Sequence, residues 1–133
     1  MTIKQEEFIA YWINSSDRDY QTMIHLFEKQ DYTWALFIGH LVIEKLLKAL
    51  YITKHSDNPP FIHDLVRLAE KCGFELDEAQ KDTLDTVTTF NIRARYDDYR
   101  LEFYKKCTRD FTGQWIQSIK DFRAWLKANL HRQ

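Results

Sequence analysis

Apolar positions recur most densely between Asp31 and Lys54, in DYTWALFIGHLVIEKLLKALYITK. Projected at about 100° per residue, they cover nearly every side of one long helix. Ala35, Ile38, Val42, Leu46 and Ala49 share a face, and Leu36, Ile43, Leu47 and Leu50 widen it. A helix this apolar belongs at the centre of a core, and Asp31 is placed to cap its first turn. Its one polar stripe is His40, Glu44 and Lys48, at i, i+4 and i+8 between Phe37 and Leu41. The stripe is either an exposed seam, with Glu44 and Lys48 forming a surface ion pair of ~0.3–0.5 kcal/mol, or a polar seam facing arginines further along the chain.

The remaining pattern is helical as well. From Thr2 to Lys29, Phe8, Ile9, Trp12, Ile13, Tyr20, Met23, Ile24 and Phe27 recur at threes and fours, and Thr2 with Gln5 has capping-box spacing. Asn14 to Asp17 is the weak stretch, because its side chains compete for backbone hydrogen bonds. The apolar phase runs through it, which predicts a single helix. The short turn from Lys29 to Asp31 predicts that the first two helices are antiparallel neighbours. The paired prolines of HSDNPP stop the central helix. Leu65, Leu68, Ala69 and Cys72 then give a short third helix closed by Gly73, and Asp77 with Gln80 opens a fourth carried by Leu84, Val87 and Phe90 toward Asn91. Phe111, Trp115, Ile119, Phe122, Leu126 and Leu130 mark the final helix. Three glycines, two prolines and no period-2 alternation predict an all-α fold, an up-and-down bundle of about five helices in one domain over residues 1–133.

Composition narrows the function classes. A net charge of −1 gives no global reason to expect nucleic acid, so such a role needs a local patch. Cys72 and Cys107 stand at no metal-ligand spacing, and MTIKQEEF is no apolar leader, which together predict a reduced cytoplasmic protein. His40, Glu44, Lys45 and Lys48 would be costly in lipid, so the apolar run is expected to be a core helix and no membrane partner is expected. His25, His40, His55, His63 and His131 include no pair at i, i+3 or i+4, and neither metal nor cofactor is expected. His63, beside Asp64 and just after the prolines, reads as a tie for the start of the third helix rather than a catalytic group. No Gly-rich phosphate loop, nucleophile elbow or Cys-His-acid arrangement can be drawn.

One local patch exists. NIRARYDDYRLEFYKKCTR, from Asn91 to Arg109, carries three more basic than acidic residues, with Tyr96, Tyr99, Phe103 and Tyr104 interleaved. Tyrosine rings stack on bases and arginine forks bind phosphate, so Arg93, Arg95, Tyr96, Tyr99, Arg100 and Tyr104 are the candidate ligand-binding residues, with His40, Glu44 and Lys48 in support. The alternative is a solvated connection whose arginines pair with Asp97 and Asp98. The pattern leaves open whether this segment is helix or loop.

Three stretches in this order, WALFIGHLVIEKLLKALYI, PPFIHDLVRLAEKCG and FNIRARYDDYRLEFYKKCT, resemble the minimal HEPN (higher eukaryotes and prokaryotes nucleotide-binding) domains of bacteria and archaea. The similarity runs from Tyr11 to Leu126. It implies a helical bundle that forms a homodimer, is often encoded beside a minimal nucleotidyltransferase in a toxin-antitoxin-like pair, and is connected with nucleotide or RNA binding. Ribonuclease branches of the family use an Arg followed, after four to six residues, by a His late in the domain. Here the positions following Arg93 or Arg95 hold Asp98, Tyr99, Arg100, Leu101 and Glu102. Arg18 and His25 have the spacing but lie in the first helix, the wrong element. Asp97 also stands where many minimal members carry proline, which predicts a looser backbone. Metal-independent RNA cleavage needs a base for the 2′-hydroxyl and a cation for the phosphate. Arg95 could be the cation, and no neighbour in sequence is the base. The expectation is therefore a non-catalytic, homodimeric HEPN domain that binds nucleotide, RNA or a nucleotidyltransferase through Arg93 to Tyr104. A ribonuclease with a degenerate Arg-His motif and a pure protein-interaction module are the alternatives.

Overall fold

The apolar stretch forms α2 (Tyr32–His55), and α2 touches every other helix of the computed structural model, which describes residues 1–130. His131, one of the five histidines, lies outside the described residues. Around α2 are α1 (Ile3–Glu28), α3 (Leu65–Lys71), α4 (Glu78–Arg93), α5 (Glu102–Lys106) and α6 (Arg109–Leu130). That is six helices, with no strand among the described residues, one more than the pattern announced. The addition is α5, five residues long and too short to show a period of its own.

Local signals set the helix ends. Thr2 and Gln5 bond reciprocally at the start of α1, as do Asp77 and Gln80 at the start of α4. Asp64 caps α3 by accepting from the Arg67 amide at 3.2 Å. At its far end Gly73 takes φ +92°, and the Gly73 and Phe74 amides reach back to the carbonyls of Glu70 and Ala69. That left-handed turn favours glycine, which lacks the Cβ that would clash. Asp31 does occupy the N-cap position of α2, but its carboxylate accepts no helix amide. Only its charge near the positive helix end can contribute.

Between α1 and α2 the register is antiparallel: Trp12 meets Lys48, Ser16 meets Val42 and Met23 meets Gly39. The serines of the weak stretch are contacts, not a break. Ser16 Oγ donates to the Val42 carbonyl at 2.8 Å, and Ser15 Oγ accepts from Lys45 Nζ at 2.8 Å. Gly39 lets α6 approach closely, since a Cβ there would lie 2.6 Å from Ile119 Cδ1 and would force that side chain to shift. Helix α6 also runs antiparallel to α1. Asp17 accepts from Lys127 at 2.6 Å and from Arg123 at 3.1 Å, while Arg109 lies over the Phe27 ring near the other end. The buried face of α6 is Thr112, Ile116, Ile119, Phe122 and Leu126. Phe111 and Trp115, expected in that stripe, are only half-buried because the face turns by one position in the first half of the helix.

Cys72 and Cys107 are free, buried thiols. Burial pushes them up to about 12 and about 11 respectively, so both remain protonated and unreactive.

The position of α2 sets a stability test. Leu46 is fully buried, and Leu46→Ala should cost ~2–5 kcal/mol through lost transfer energy and the cavity left behind. Lys45 bonds Asp19 at 2.6 Å as well as Ser15, but on a part-exposed edge, so Lys45→Ala should cost about 1 kcal/mol or less. Urea melts showing the two substitutions equally mild would contradict a central α2.

Candidate functional site

The chain between α4 and α5 is shaped by its two aspartates. Asp97 accepts from the amides of Tyr104 at 2.8 Å, Asp98 at 2.9 Å and Phe103 at 3.3 Å, and Asp98 accepts from the Glu102 amide at 3.0 Å. Together they cap the otherwise orphaned first turn of α5. Burial opposes ionisation of Asp97, but these amides and the charge of Arg93 outweigh it and hold its carboxyl below the usual aspartate value. Leu101, at the N-cap of α5, has φ 54° and ψ 42°, a left-handed conformation that costs a non-glycine residue roughly 1–2 kcal/mol. The aspartate caps hold it there. The looser backbone expected from Asp97 in place of proline is therefore not what forms: the carboxylate ties the turn down.

Because the acids bind backbone amides, the arginines find other partners. Arg95 donates from Nε to the Asn91 carbonyl at 2.8 Å and from Nη2 to Asn91 Oδ1 at 2.9 Å, and its guanidinium lies 5.3 Å from the ring centres of both Phe37 and Tyr96. Arg93 lies over the Phe103 ring at 4.5 Å, and Arg100 donates to the Tyr99 hydroxyl at 3.0 Å. Among the described residues none of the three forms a salt bridge. Tyr96 and Tyr99 stand 70 % and 88 % exposed. Arg93 and Tyr96 line one depression of about 210 Å³ together with Asp97, Asp98, Glu102 and Phe103. Tyr104 is not part of it, and lines a separate hollow with Tyr32, Thr33 and Thr108. Arg18 and His25 are exposed on α1.

The polar stripe of α2 is buried, contrary to the surface ion pair that its spacing allowed. The Glu44 side chain is 5 % exposed and His40 is fully buried. Glu44 Oε1 accepts from His63 Nδ1 at 2.8 Å and lies 3.7 Å from His40 Nε2, while Oε2 lies 3.5 Å from Lys48 Nζ. His63 does tie down the start of α3, and it does so through Glu44, a partner 19 positions away that no local spacing indicates. His63 is itself 65 % exposed, so the buried carboxylate orients an imidazole that solvent can reach. Burial lowers the His40 pKa, with the charges of His63 and Arg95 acting in the same sense and Glu44 and the His63 backbone opposing. Among the described residues neither ring nitrogen of His40 has a partner within good hydrogen-bond geometry, so the His63 backbone acts on it only weakly. Among the described residues no group of three His, Cys, Asp or Glu side chains could hold a metal ion.

An all-α bundle, with a capped basic turn after α4 and a buried polar stripe on its central helix, is the class of protein defined here. The sequence model of the HEPN domain matches residues 9–129, and the chain belongs to the HEPN domain family. No curated protein and no solved structure matches it. No described helix is long and apolar enough to cross a membrane.

A buried, neutral His40 has a pH signature. Its lowered pKa stabilises the fold fully above 6.5, and that contribution is lost as pH falls from 6.5 toward the folded-state value. Wild type should therefore lose stability on acidification through this window, and His40→Phe should reduce the slope. Urea melts at several pH values giving identical slopes for the two proteins would contradict a buried neutral imidazole.

Proposed function

We propose that this HEPN domain binds the phosphate and base of a nucleotide, free or within single-stranded RNA, at the turn from Arg93 to Tyr104. One observation carries the reading: Asp97 and Asp98 accept backbone amides, and among the described residues Arg93, Arg95 and Arg100 form no salt bridge and lie beside two exposed tyrosines. Arginine forks suit phosphate, and tyrosine faces suit bases. Arg95 is pre-oriented by Asn91 and by Phe37, which lowers the ordering cost of binding. A homodimer, the assembly the family resemblance implies, would present two such turns across a two-fold axis. A minimal nucleotidyltransferase, in a toxin-antitoxin-like pairing, is the protein partner we propose for the same surface.

A second reading, ribonuclease, is favoured by a different observation, the 2.8 Å bond between His63 Nδ1 and buried Glu44. Histidine is suited to proton transfer near neutral pH, and a carboxylate on Nδ1 leaves Nε2 as the reacting atom. In that reading Nε2 takes the 2′-hydroxyl proton, the 2′ oxygen attacks phosphorus, the bond to the 5′ oxygen breaks, and that oxygen takes a proton relayed through water from His63.

Calorimetric titrations with mixed nucleotides and short single-stranded RNA test the binding reading. Tyr96→Ala should remove ~1–3 kcal/mol per stacked base. Arg95→Ala should weaken binding strongly while lowering stability by only about 1 kcal/mol, since it gives up bonds to a neutral partner. No wild-type binding at millimolar ligand would contradict the reading. For the second, wild type should cut single-stranded RNA in the presence of a metal chelator, leaving 2′,3′-cyclic phosphate ends, and His63→Ala should not. Intact RNA after prolonged incubation with wild type would end it.

A further inference from the structure

We infer that His40 and His63 compete for one carboxylate oxygen of Glu44, and that protonation of His40 releases the segment from Asp57 to His63 from α2, as an acid-operated strap. Glu44 Oε1 stands between two imidazoles, 2.8 Å from His63 Nδ1 and 3.7 Å from His40 Nε2. At neutral pH His63 holds it. His40, one turn before Glu44 on the same helix, has neither ring nitrogen in a well-formed hydrogen bond among the described residues.

The strap has little else to hold it. Within residues 57–63 the Ile62 amide donates to the Pro60 carbonyl and the Asn58 amide to the Asp57 carboxylate, both inside the segment. Among the described residues the bond from His63 to Glu44 is the only hydrogen bond or ion pair that joins this segment to the rest of the fold. Phe61, 99 % exposed, gives it no buried anchor. The His63 main chain is near enough to act on the His40 ring, so its departure lets water reach that ring.

The charges around the pair decide which imidazole lets go. Lys48 of α2 lies 3.5 Å from Glu44 Oε2, and Arg95, beyond α4, adds a positive charge that acts on His40. In the turn after α4, Asp97 and Asp98 face backbone amides. On α1, Asp19 pairs with Lys45, and Asp17 with Arg123 and Lys127 of α6. Among the described residues no charged group of α1, α3, α5 or α6 pairs with Glu44 or with either ring. A proton on His40 therefore enters a site whose one carboxylate already serves Lys48 and His63, and a buried imidazolium needs that carboxylate or water. His63, 65 % exposed, can exchange Glu44 for water, whereas His40 is fully buried and cannot. Burial lowers the His40 pKa, which puts the release below pH 6.5, and there each further pH unit favours the open form by up to about tenfold until the closed-state value is passed.

An NMR titration of the whole chain from about pH 7.5 to about pH 5 tests this. Backbone order parameters of Phe61, Ile62 and His63 should fall from about 0.85 to below about 0.6, with the same midpoint as the His40 ring resonances, while those of α6 stay high. His40→Phe removes the competing ring and should keep the strap ordered throughout. His40→Leu is the second substitution should phenylalanine disturb the fold, and the comparison of midpoints in wild type needs neither. A strap already mobile at neutral pH, one that stays ordered after His40 has titrated, or release that persists without His40 would each overturn the inference. Loss of order in α6 at the same midpoint would show general unfolding in place of a strap and would overturn it as well.

Discussion

A carboxylate in the most apolar helix of the chain is the constraint on which the rest of this structure depends. Removing Glu44 from water costs several kcal/mol unless partners surround it. Lys48 supplies one, from the next turn of α2, and His63 supplies another across the gap to the segment before α3. The demand for partners thus fixes a stretch of chain that has little apolar surface of its own. It also determines what lies over α2: His40 is sealed beneath, His63 stays at the surface, and Lys48 carries its contact onward to Trp12 of α1.

A similar exchange of partners shapes the turn after α4. A short helix such as α5 cannot satisfy its own first amides, and Asp97 and Asp98 do so instead. With both carboxylates turned toward backbone amides, the neighbouring arginines pack on aromatic rings and on Asn91, and Arg93 acts on Asp97 only through its charge. Folding chemistry therefore leaves cationic and aromatic groups exposed together. Leu101, in a left-handed conformation, is part of the cost of holding that turn.

Features written locally were legible in the sequence. The reciprocal caps at Thr2 and Asp77, the glycine that closes α3 and the central place of α2 each follow from residues within one or two turns of each other. Family membership was legible for a related reason, since the order of the apolar and basic stretches survives without any knowledge of contacts. The candidate site was legible only in part. The basic aromatic stretch showed Arg95 and Tyr96, yet spacing could not show that Asn91, rather than an acid, holds Arg95. Burial of the His40 and Glu44 stripe depends on what packs against it, and the partner that Glu44 finds there, His63, is far away in sequence. Ser15 and Ser16 read as a weak point for the same reason, because their partners are on α2.

The central claim is that buried Glu44 and exposed His63 form one energetic unit that anchors the chain before α3. A double-mutant cycle measures this directly, with urea unfolding of wild type, Glu44→Gln, His63→Ala and the double variant at neutral pH. A coupling free energy above about 1 kcal/mol is the predicted result. Additivity within about 0.3 kcal/mol would show that the two residues act independently and would contradict the account.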